Sequence, residues 1–109
     1  MTDRSQEIPD ERDGVYTIWG QVTVRQTGEP YPGATVEFSN LWGGNVHMDT
    51  DANGEYSLRA PADVYNAVAL DLENMTVDFD VVGRPNNVVE LPPSTRVDFE
   101  AYDYDEPVL

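Results

Sequence analysis

The sequence predicts an all-β protein: one antiparallel Greek-key β-sandwich of about seven to eight short strands. Three observations carry this. Apolar and polar residues alternate with a period of two in several short runs. Gly, Pro, Asn and Asp clusters interrupt those runs at spacings of about 8–12 residues. No segment repeats its apolar residues at the helical period. At 109 residues the chain has the length of one domain with one two-layer core.

The elements follow in order. Residues 1–13 are polar, with Pro9 and mixed charges, and read as an N-terminal arm outside the core. The sandwich is expected over residues 14–101. Its first strand is Val15 to Arg25, where Tyr16, Ile18, Gly20, Val22 and Val24 share one face. Trp19 falls on the polar face and is expected to cover a sheet edge. A turn at Gln26 to Glu29 precedes Pro30 and Pro32-Gly33, and Ala34, Val36 and Phe38 mark the second strand. Residues 40–45 form a loop with Leu41 and Trp42 at its head. Val46, Met48 and Thr50 mark the third strand, and Tyr56, Leu58 and Ala60 the fourth. Asn53-Gly54 between them predicts a hairpin, because such turns need positive φ angles. Val64 to Leu72 is apolar on both faces, which predicts a fifth strand buried in mid-sheet. Met75, Val77, Phe79 and Val81 mark a sixth strand. Val88, Val89 and Leu91 mark a seventh, closed by Pro92-Pro93, and Val97, Phe99 and Ala101 the last. Residues 102–109 alternate Tyr with acids and end in Pro107-Val108-Leu109, an acidic C-terminal arm able to prolong the last strand.

Composition narrows the function. Asp and Glu total 21 against six Arg and no Lys, for a formal net charge of −15. Such a surface repels nucleic acid and anionic membranes, so neither is an expected partner. It serves solubility or a saline habitat, or it meets a basic partner. The absence of Cys excludes disulfides and thiolate metal sites. The polar start argues against a secretory signal, and no run approaches the ~20 apolar residues of a membrane span. The expectation is a protein made in the cytoplasm that can leave it as part of a particle.

An ordered series of motifs is familiar. Gly20-Gln21-Val22, Pro30, Pro32-Gly33-Ala34-Thr35-Val36, Thr50-Asp51-Ala52-Asn53-Gly54-Glu55-Tyr56-Ser57-Leu58 and Tyr65 after Pro61 stand in sequence. Over residues 16–70 the chain resembles the carboxypeptidase regulatory-like domain. That resemblance implies a prealbumin-like (transthyretin-like) sandwich, immunoglobulin-like in its layering, and a non-catalytic accessory role. Some related folds are grouped with starch-binding modules. The family often has Gly just before the tyrosine of its fifth strand. Here the segment is Pro61-Ala62-Asp63-Val64-Tyr65, so that turn is built differently.

Few residues suggest chemistry. Asp49, Asp51, Asn53 and Glu55 resemble the first half of a calcium loop, a weak calcium candidate. The position for the bidentate carboxylate is Ala60, however, and strands flank the loop. The simpler reading is a turn stabilised by its own Asp and Asn. His47 is the only histidine and alternation puts it on an outer face. Asp78 and Asp80 share a solvent face, whereas general acid catalysis needs a carboxyl group in an apolar cleft. No catalytic residue and no cofactor is expected, and the chain is not read as an enzyme.

Trp42 is the most informative single residue. With Leu41 it either folds back over the open end of the sandwich, anchors a protein interface, or stacks on a sugar ring. An interface would use Leu41, Trp42, Tyr102, Tyr104, Val108 and Leu109, with the C-terminal arm adding a strand to a neighbour. A carbohydrate site would use Trp42, Trp19 and Tyr31. The leading expectation is a structural interaction module, present in multiple copies as an accessory or decoration subunit of a larger assembly such as a virus or phage particle. Its partner is then another protein or its own copies. A carbohydrate-binding module is the alternative.

Overall fold

The structure is a computed structural model and describes residues 14–103. Among the described residues nine strands form: β1 (Val15–Val24), β2 (Thr35–Ser39), β3 (Asn45–Asp49), β4 (Glu55–Pro61), β5 (Asp63–Leu70), β6 (Val77–Val81), β7 (Val88–Leu91), β8 (Thr95–Arg96) and β9 (Phe99–Asp103). They build two packed sheets, as the alternation predicts. The first has the order β4-β1-β9-β6, with β8 also paired to β1; the second has the order β3-β2-β5-β7. Among the described residues no helix is long and apolar enough to cross a membrane.

Alternation decides which side chains face inward. Ile18 and Val22 from β1, Leu58 and Ala60 from β4, and Phe99 from β9 share one core cluster with Val36, Ala67 and Val89 from the second sheet. An aromatic cluster joins the layers at the centre. Phe38 of β2 lies 6.1 Å from Tyr56 of β4 and 6.3 Å from Phe99 of β9, ring centre to ring centre. Tyr56 is buried, and its hydroxyl donates to the Val97 carbonyl at 2.5 Å. Burial pushes that phenol far above its ordinary range, so it stays a neutral donor. Gly20 makes this approach feasible, because a β-carbon there would overlap the Val97 carbonyl.

The pairing is not purely antiparallel. β1 runs antiparallel to β4 but parallel to both β8 and β9. Residues 95–101 lie along the first strand in the same direction and in one register. The ladder is interrupted at residues 97–98, where the Gln21 amide donates to the Asp98 side chain at 2.8 Å. Period-two alternation records faces, not strand direction, so this pairing left no trace in the pattern.

The Asn53-Gly54 turn is also not a hairpin between paired strands. The Gly54 amide donates to the Asp51 carbonyl at 2.9 Å, which closes a tight turn. The flanking strands then diverge, β3 into the second sheet and β4 into the first. Thr50 is the cause on one side. It is buried, its hydroxyl donates to the Tyr31 carbonyl, and it accepts from the Ala34 amide. On the other side the Val22 amide donates to the Gly54 carbonyl at 2.7 Å.

Three smaller corrections follow. Trp19 lies in β1, which has neighbours on both sides, so it covers the face of the first sheet and not an edge. β5 is central, as predicted, but it ends at Leu70 and its second face is open, with Val64 and Val68 exposed. Met75 belongs to the loop before β6 and is exposed.

Candidate functional site

The site begins with Asn40 at the end of β2. Its Oδ1 accepts from the backbone amides of Trp42 at 3.0 Å and Gly44 at 2.8 Å. Its own amide donates to the Gly44 carbonyl at 2.9 Å. One asparagine thus fastens the whole β2–β3 loop, and the chain can turn only with residues 41 and 42 outward. Leu41 is 95% and Trp42 85% exposed, so neither folds back over the core. Of the three readings the sequence allows, capping the sandwich is the one the structure overturns.

Beside this loop the second sheet presents apolar residues outward. Val64 and Val68 on β5 and Val88 on β7 are exposed. The register puts Val88 opposite Asn66 and Val68 opposite Glu37, on one outer face. A cavity of about 280 Å³ lies between loop and sheet, lined by Leu41, Val64, Tyr65, Asn66 and Val88 among others. Tyr65 braces its floor: the ring is buried and the hydroxyl donates to the Pro61 carbonyl at 2.7 Å. Burial raises its pKa, the neighbouring Asp63 adds to the rise, and a side-chain hydrogen bond with Asn40 opposes it. Sequence reasoning found the loop but missed the stripe. Its signal, an apolar β5 on both faces, was taken for double burial.

The remaining candidates are scattered. Trp19 is half-buried on the outer face of the first sheet, opposite Ser57 of β4 and Arg96 of β8. Tyr31 is half-buried, edge-on to Phe79 at 5.4 Å, and its hydroxyl donates to Asp71 at 2.5 Å. That bond, helped by the amides of Glu73 and Asn74 against some burial, holds the Asp71 carboxyl below its usual range. Tyr31 precedes β2 and Trp42 follows it, so the two lie at opposite ends of that strand. The three aromatics of the sugar-binding reading therefore share no platform. Tyr102 belongs to β9, beneath the Arg25 guanidinium at 4.4 Å. Tyr104, Val108 and Leu109 lie outside the described residues, as does the arm at 1–13.

Asp49 and Asp51 of the calcium candidate are engaged in local hydrogen bonds. Asp51 Oδ1 accepts from the amides of Asn53 and Glu55 at 2.8 and 2.9 Å, and Asp49 accepts from the Thr35 hydroxyl at 2.7 Å. Among the described residues no group of three or more His, Cys, Asp or Glu is arranged to hold a metal ion. Those carboxylates also line a groove of about 700 Å³ with Thr17, Trp19 and Met48. His47 is exposed opposite Glu37 on the outer face, as alternation predicts.

Comparison of the chain with family models, with curated proteins and with solved structures gives no match.

Proposed function

We propose that this chain is a non-catalytic structural module that binds a protein partner, as an accessory or decoration subunit of a larger assembly such as a virus or phage particle. One observation carries the reading: Leu41 and Trp42 are held almost fully in water by a loop fixed through Asn40. Exposing a tryptophan costs hydration free energy that folding it inward would recover. Tryptophan is among the residues most enriched at interface hot spots, and a loop already fixed has less ordering entropy to lose on binding. The resemblance to carboxypeptidase regulatory-like domains agrees with an accessory role. The high negative charge favours solubility before assembly.

Trp42→Ala tests it. The side chain makes little contact with the core, so unfolding free energy is expected to change by less than about 0.5 kcal/mol. Association with the native assembly is expected to weaken by about 2 kcal/mol, roughly thirtyfold. Lost stability with unchanged association would reject the proposal.

A further inference from the structure

We infer that the outer face of the second sheet docks a basic protein partner, one presenting aliphatic or aromatic side chains ringed by Lys and Arg. This rests on the interaction-module reading and adds to it the face and the chemistry of the partner. Single exposed apolar residues are ordinary, whereas a contiguous row marks an interaction surface. Here Leu41, Val64 and Val88 line one cavity, Val68 is exposed on the same outer face of β5, and Trp42 adjoins Leu41 on the loop, an apolar row. β5 has a neighbour on each side, so this exposure does not come from a frayed edge. The cavity between Leu41, Val64 and Val88 is suited to one large apolar side chain as an anchor.

Charge selects the partner. The strands of the second sheet carry neither Arg nor Lys, while Glu37, Asp49 and Glu90 fall on the same outer face as the apolar row. His47 and Asn45 lie there too, and Asn45 donates to Glu37 at 3.2 Å. Arg84 sits at the β7 margin, where its guanidinium donates to the Val88 carbonyl. At the first sheet, by contrast, Arg25 pairs with Asp80 and Glu100, and Arg96 pairs with Asp98. Two copies packed face to face through the second sheet would set its carboxylates against their own kind. A cationic rim relieves that repulsion and leaves the apolar contacts intact.

The test is an amide-resolved NMR titration of the full chain with a synthetic peptide of alternating Leu and Lys, and with its Leu-Glu counterpart. The expected result is shifts centred on Leu41, Trp42, Val64, Val68 and Val88 with the Lys peptide and none with the Glu peptide. Val64→Ser/Val68→Ser keeps the net charge and is expected to weaken binding about tenfold. Should that variant fail to fold, Glu37→Gln/Glu90→Gln is expected to weaken it severalfold instead. Shifts centred on the first sheet, equal binding of both peptides, or unchanged affinity in the folded variant would overturn the inference. So would self-association through this face in sedimentation. If the Lys peptide fails while Trp42→Ala still abolishes association with the native assembly, this inference falls and the module reading stands.

Discussion

Gly54 has a φ of +72°, and a β-carbon there would lie 2.5 Å from the Val22 carbonyl and 2.9 Å from the Tyr31 amide. The turn, β1 and the segment before β2 converge on this one atom, and none is free to retreat. Gly54→Ala is therefore expected to cost about 3 kcal/mol or more, combining left-handed strain with a backbone clash. Urea denaturation measures it. Asp71 makes a second prediction at this scale. Its carboxyl is held below the ordinary range first by the Tyr31 hydroxyl and then by two backbone amides. A depressed carboxylate contributes stability that is present above its unfolded pKa and lost as pH falls through the folded value. The wild type is expected to lose that contribution below a pH of about 4. The Asp71→Asn variant is expected to lack this part of the pH dependence, as thermal melts across the range would reveal.

Among the elements, the β2–β3 loop separates stability from function. Asn40→Ala removes both side-chain bonds to the loop amides and the side-chain hydrogen bond with Tyr65, and deletes no apolar core side chain. Faster hydrogen exchange at the Trp42 and Gly44 amides is expected, together with weaker association and a global stability loss within about 1 kcal/mol. Most strands and inward faces are legible: Ile18, Val36, Phe38, Tyr56 and Phe99 point where alternation puts them, whereas Met48 and Met75 are exposed. Partner choice was not. Nothing in a period-two pattern distinguishes a turn that closes a hairpin from one that joins two sheets, and hydrogen bonds from Thr50 and Val22 made that decision at Asn53-Gly54. Loop exposure was half legible. Asn-Leu-Trp-Gly-Gly announces a turn, but the outward direction of Trp42 depends on which amides the Asn40 side chain captures. The open face of β5 is not legible in the sequence, because an apolar strand looks the same whether a second layer covers it or it faces out of the sandwich.

For the whole molecule, a formal charge of −15 on 109 residues opposes compaction at low ionic strength. Screening shortens the reach of that repulsion from about 30 Å at 0.01 M to about 3 Å at 1 M salt. The melting temperature is accordingly expected to rise by about 5 °C between those salt concentrations, as calorimetry would show. The same screening would weaken a docking contact that depends on a cationic rim while sparing its apolar centre. The proposed function makes the exposed β2–β3 loop an anchor that this fold displays. The most direct test of that claim is density-gradient separation of the native source, with this chain followed by mass spectrometry. The chain is expected to travel with a large particle. Recovery only at the top of the gradient, as a small free species, would contradict it.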